Sequence, residues 1–108
     1  LGVRMADAAR YGTLAFDESR RLLRFEEKRP GAGVINAGVY LLKPELLTRF
    51  PSARPLSFEK DVFPSLLAGG ARLRVHATDA PFLDIGTPES LALAESFICE
   101  NFSSLQSA

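Results

Sequence analysis

One cysteine and one histidine are all that this chain of 108 residues offers to thiol or imidazole chemistry. A lone thiol, Cys99, excludes a disulfide within the chain and a cysteine-based metal site, and it fits a reducing, cytoplasmic location. It reads as a core residue of the last helix. His76 alternates with its neighbours in Leu73-Arg74-Val75-His76, which suits a strand residue better than a catalyst. No apolar run approaches the ~20 residues of a membrane-spanning helix. The first residues lack the basic-then-apolar pattern of a signal peptide. Lys+Arg and Asp+Glu number 13 each, so no net charge draws the chain to nucleic acid or to an anionic membrane. Arg20, Arg21 and Arg24 cluster, but Asp17, Glu18, Glu26 and Glu27 lie among them, as on a solvated strand face. There is no glycine-rich phosphate loop, no Ser/His/Asp set and no candidate nucleophile.

What is present suffices for one soluble α/β domain. The chain opens mid-pattern at Leu1-Gly2-Val3-Arg4-Met5 and reads as an internal piece of a longer protein. Strands are expected over 1–6, 11–16, 22–27, 34–42, 72–77 and 82–85. The stretch 34–42 is nearly all apolar and predicts a central strand buried on both faces. Turn chemistry sits at 17–20, and loops at 29–33 and 51–55. Pro44 opens a short helix to Arg49. Ser57 caps a helical stretch, Pro64 opens a turn running to Ala68, and Gly69-Gly70 ends it. Thr87-Pro88-Glu89 combines a capping hydroxyl, a proline at the first helical position and an early acid, so an amphipathic helix is expected over 88–102. Residues 1–102 form the expected domain and 103–108 a polar tail.

Polar residues interrupt the apolar runs at three places. Glu27 and Lys28 end a strand before a glycine-containing loop: a carboxylate suits two sugar hydroxyls and an ammonium suits a phosphate. A surface ion pair is the plainer alternative. Asn36-Ala37-Gly38 sits within an apolar run, where glycine marks either the close approach of a ligand or a bulge with a satisfied Asn. Asp84 lies before a helix start. It suits one ligand of Mg²⁺, which takes few carboxylates and fills its shell with water and phosphate, or else it caps locally.

In this order and spacing, Tyr11-Gly12, Phe25-Glu26-Glu27-Lys28, Asn36-Ala37-Gly38-Val39-Tyr40 and Phe82-Leu83-Asp84-Ile85-Gly86-Thr87-Pro88 resemble the C-terminal half of the catalytic domain of sugar-1-phosphate nucleotidyltransferases. Ser57-Phe58-Glu59-Lys60-Asp61-Val62-Phe63-Pro64 is similar to the segment these enzymes carry between the two halves of the sugar site. The nearest subgroup is the bacterial mannose- or heptose-1-phosphate guanylyltransferases. The resemblance implies half of a Rossmann-like mixed sheet with flanking helices. It also implies sugar hydroxyls on Glu27, the sugar phosphate on Lys28, a pocket lined by Gly12, Asn36, Ala37 and Gly38, and catalytic Mg²⁺ on Asp84. The implied reaction joins a sugar-1-phosphate to a nucleoside triphosphate and releases pyrophosphate. The family's glycine-rich loop, Pro-Lys-Pro-type segment and first metal aspartate have no counterpart in these residues, and Arg29 stands where many members have proline after the lysine. The implied partner is the other half of the same domain. A noncatalytic sugar-binding or dimerisation module is the alternative.

An apolar stretch at 34–42 without all of its cover predicts exposed apolar surface, and with it self-association or a swapped dimer. Light scattering at high concentration is expected to show the dimer; a clean monomer counts against it.

Overall fold

In the computed structural model, which describes residues 1–50 and 54–103, the alternating segments form strands β1 (Gly2–Met5), β2 (Thr13–Phe16), β3 (Leu22–Glu26), β4 (Gly33–Asn36) and β5 (Ala77–Thr78). They make one mixed sheet in the order β3-β2-β4-β1-β5. β1 pairs antiparallel with β4 and parallel with β5, and β2 pairs antiparallel with β3 and β4. The β2–β3 turn is the expected one: Asp17 Oδ1 accepts the Arg21 N–H, and Arg20 takes a φ of 66°. Helices α1 (Pro44–Leu47), α2 (Phe63–Ala68), α3 (Pro88–Leu91) and α4 (Ala94–Asn101) flank the sheet. The chain is thus of the α/β class, as expected. The expected loop over 51–55 and tail over 103–108 fall largely outside the described residues.

Each face of the sheet carries its own core. Val3, Ala8 and Ile35 are buried on one face, with Met5, Tyr11, Ala37 and Phe82 packed on them. On the other, Val62, Phe63 and Leu66 meet Phe25, Tyr40, Leu42, Leu46 and Leu73. Residues Phe58–Val62 wind as a π-helical turn in front of α2. Ser57 Oγ accepts the Lys60 N–H while Asp61 Oδ2 accepts the Ser57 N–H, a reciprocal cap on the N-terminal end of that turn. At the far end of α2 the Ala71 N–H reaches the Leu66 carbonyl and the Gly70 N–H the Leu67 carbonyl, with Gly70 at φ 80°. That pair of bonds is a Schellman stop, and the positive φ is why glycine stands there.

Five expectations are corrected. The strand over 34–42 ends at Asn36, because Asn36 Oδ1 accepts the Gly38 N–H and Gly38 turns to φ 74°; Val39 and Leu41 then stand 59% and 102% exposed. The apolar surface is as expected, but the burial on both faces is not. The stretch 72–77 is no continuous strand. Leu73 and Val75 bond to Leu22 and Arg20, after which Ala77 and Thr78 move across to β1. This segment joins opposite parts of the sheet and curls it around an open groove of about 1140 Å³, lined in part by Leu14, Leu22, Phe25, Tyr40, Phe63 and Val75. The stretch 82–85 forms no strand: Pro81 precedes it, Asp84 makes a turn, and Phe82 is held by packing. The helix over 88–102 breaks at Ala92-Leu93, where the Leu93 N–H tightens to the Ser90 carbonyl. No residue of α3 or α4 is buried, and Cys99 is exposed rather than in the core. Helical continuity depends on a packed face, and these helices lack one.

Ile35 is wholly buried where three strands meet. Ile35→Ala is expected to cost about 3 kcal/mol, measured by urea unfolding.

Candidate functional site

The sheet register brings the expected site segments together. Thr13 of β2 faces Glu26 on one side and Ile35 on the other. One residue beyond this row lie Gly12, Glu27 and Asn36, so three of the expected residues reach the same edge of the sheet. Gly12 is tightly placed, since a Cβ there would come within 3.1 Å of the Glu26 carbonyl oxygen. The fourth segment joins from outside the sheet. Phe82 packs edge-on against Tyr11, with ring centroids 6.3 Å apart. Asp84 lies two residues along the chain from Phe82, whose ring touches Gly12's neighbour Tyr11.

Glu27 and Lys28 lie just past β3, exposed, and neither has a hydrogen bond or ion pair among the described residues. The surface ion pair considered for them is therefore not made. Glu26 instead takes both arginines, Arg24 at 2.8 Å and Arg29 at 3.1 Å. Exposed pairs of this kind add little stability, but they occupy the cations that would otherwise compete for Glu27. Asp84 Oδ1 accepts the Gly86 N–H at 2.8 Å. Its Oδ2 has no partner among the described residues. A Cβ at Gly86 would stand 3.0 Å from Asp84 Oδ1, so glycine leaves the carboxylate its place.

The stretch Asn36-Ala37-Gly38 is a turn rather than a strand interior. The Ala37 N–H donates to the Leu1 carbonyl and the Gly38 N–H to Asn36 Oδ1. The Asn36 amide nitrogen donates to Tyr40 Oη at 2.7 Å and to Glu59 Oε1 at 3.3 Å, and Tyr40 Oη donates to Glu59 Oε1 at 2.9 Å. Two of these partners, Tyr40 and Glu59, were not singled out from the sequence. The available signal was the spacing: Tyr40 follows the turn in one quoted motif, and Glu59 lies inside another. Partial burial raises the Tyr40 pKa, with Glu59 adding to the rise. Glu59 titrates below its ordinary range, chiefly through its own backbone N–H and then through the Tyr40 hydroxyl.

Comparison with known proteins bears on this arrangement. The family described as "Nucleotidyl transferase" matches residues 1–101. The chain belongs to that family. Its relatives include mannose-1-phosphate guanylyltransferase of Mycobacterium tuberculosis, 39% identical over 90 residues that span 81% of this chain and 25% of that protein. D-glycero-alpha-D-manno-heptose 1-phosphate guanylyltransferase of Campylobacter jejuni is 37% identical over 86 residues, 79% of this chain and 38% of that protein. The crystal structure of HddC from Yersinia pseudotuberculosis, complexed with GMP-PN, superposes with a TM-score of 0.74 at 35% identity, covering 89% of this chain and 42% of that one. This nucleotidyl transferase chain spans about a quarter of the length of the first of these relatives. Its match to the family runs through every one of the segments that meet at the sheet edge.

The lowered Glu59 pKa has a consequence for stability. The unfolded carboxyl titrates near 4.5 and the folded one below it. The stability Glu59 contributes is complete above that value and is lost as pH falls through the lower folded value. Glu59→Gln removes the contribution. The gap between wild type and Glu59→Gln in urea midpoint is expected at about pH 6 and expected to shrink at about pH 3; a constant gap contradicts the assignment.

Proposed function

We propose that this chain supplies the sugar-phosphate side of an enzyme that transfers a nucleotidyl group from a nucleoside triphosphate to a sugar-1-phosphate. The observation that carries the reading is the shared sheet edge: Gly12, Glu27 and Asn36 stand one residue past the Glu26–Thr13–Ile35 row, with the Asp84 segment tied alongside through Phe82. Membership of the nucleotidyl transferase family supports it.

In this reading the Glu27 carboxylate accepts hydrogen bonds from sugar hydroxyls, and the Lys28 ammonium holds the sugar phosphate as a point charge. Gly12 and the turn of Asn36, Ala37 and Gly38 line the sugar's position. A phosphate oxygen of the sugar-1-phosphate attacks the α-phosphorus of the triphosphate. The new P–O bond forms as the bond to the bridging oxygen of the β-phosphate breaks, and pyrophosphate leaves with that electron pair. No protein nucleophile takes part. The protein aligns the reactants and neutralises charge.

Asp84 fits one protein ligand of Mg²⁺: it is exposed, one oxygen is braced by the Gly86 N–H, and the other has no partner among the described residues. No group of three acidic, His or Cys side chains among the described residues could hold a metal, so the rest of the shell would come from water, phosphate and the aspartate that the family carries in the other half of the domain. Bound there, the ion would offset the negative charge of the reacting phosphates. No helix among the described residues is long and apolar enough to cross a membrane, and a cytoplasmic location, where nucleoside triphosphates are made, accords with the reaction.

The relatives' names suggest mannose 1-phosphate with GTP as the first pair to assay, followed by heptose and glucose 1-phosphates with GTP, ATP, UTP and dTTP. Pyrophosphate release by the full-length protein is expected with one of these pairs. Lys28→Ala is expected to raise KM for the sugar phosphate by at least about tenfold through loss of a charge-assisted contact. Absence of turnover with every pair overturns the reading.

A further inference from the structure

The Asn36 amide is gripped at both ends. Its Oδ1 accepts the Gly38 N–H at 2.9 Å, and its Nδ2 donates to Tyr40 Oη at 2.7 Å. Tyr40 Oη passes the chain on to Glu59 Oε1 at 2.9 Å, so the donors run in one direction and end on a carboxylate. A chain of this polarity strengthens each of its members. Neither far partner has freedom to drift. The Tyr40 ring lies 5.2 Å from Phe58 and 4.8 Å, edge-on, from Phe63. Glu59 takes a second bond on Oε2 from Ser57 Oγ at 3.2 Å and sits in the capped π-helical turn. Turns of that kind recur at functional sites.

We propose that Glu59, acting through Tyr40 and through its own bond to Asn36 Nδ2, is a positioning residue for the sugar subsite: it fixes the Asn36 amide and thereby the turn that runs to Gly38. The inference rests on the reading that this turn lines the sugar's position. Gly38 has open space around it and a φ of 74°, so packing does not hold its conformation. Its brace is the Asn36 Oδ1 bond. Without the acceptors on Nδ2 the amide is free to rotate, and the brace goes with it. Glycine, the most mobile residue, then loses the ordered turn. Glu59 itself need not touch the sugar.

The test uses the full-length protein with mannose 1-phosphate and GTP, or the active pair found above. Tyr40→Phe and Glu59→Gln are each expected to raise KM for the sugar-1-phosphate about tenfold, the scale of one charged hydrogen bond, with KM for the nucleotide moved less than about twofold. The double variant is expected to raise that KM further than either single one, since each single variant leaves Nδ2 one acceptor. A rise shared equally by both substrates, or none in either variant, overturns the positioning role. Glu59 is exposed, so Glu59→Gln carries the test should Tyr40→Phe fail to fold. An active wild type with unmoved variants removes this role alone. A wild type inactive with every pair removes the reading of the site and this role with it.

Discussion

The pairing of Thr13 with Ile35 holds the rest of this structure in place. It is the registered pair that joins the β2–β3 hairpin to the β1–β4 ladder. Each half has its own register, Thr13 with Glu26 and Ile35 with Val3, and this contact aligns the two. Side chains alternate along a strand, so a slip of one residue would carry Gly12 and Glu27 away from Asn36 and turn the apolar sets to the wrong faces. Full burial of Ile35 makes such a slip costly. Thr13 is buried too, and its hydroxyl finds no partner among the described residues. The packing beside it is tight, since a Cβ on Gly33 would stand 2.7 Å from the Thr13 methyl.

On the opposite face an aromatic group does comparable work. Phe25 stacks on Phe63 at 5.7 Å, and Phe63, Phe58 and Tyr40 meet in turn. Phe25 sits two residues before Glu27, and Tyr40 two residues after Gly38. The same apolar cluster therefore anchors both walls of the candidate site, while the polar chain from Asn36 to Glu59 runs along its rim. Packing sets the distances and hydrogen bonds set the orientations. The two are coupled because Tyr40 belongs to both.

The sheet is curled, and its concave side is open. The radius of gyration is 16.1 Å, against about 13 Å for a closed domain of this length. The open groove under Leu14, Phe25 and Val75 and the uncovered faces of α3 and α4 accord with that value. Glu27, Lys28 and Asp84 do not line that groove, and Asn36 and Tyr40 do. The candidate sugar edge and the apolar hollow are thus distinct regions that share one strand end.

Local chemistry was legible from the sequence wherever it acts within a few residues. The turn at 17–20, the stop at Gly69-Gly70 and the Thr87-Pro88 helix start all follow from the bonds their own side chains and dihedrals permit. The four motifs, in order, pointed to the family that the chain matches. Tertiary structure decided the rest, because apolar character does not say what supplies the burial. Residues 34–42 look like one long strand until the Asn36 side chain captures the Gly38 N–H and ends the ladder. Phe82 looks like a strand residue, yet it is held by Tyr11 and not by backbone bonds. In the sequence Glu59 has no role of its own beyond its place in the Ser57–Pro64 segment. Only the fold brings it, across 23 residues, to the Asn36 amide, since no local rule sets a distance between two strands' ends and a helical turn.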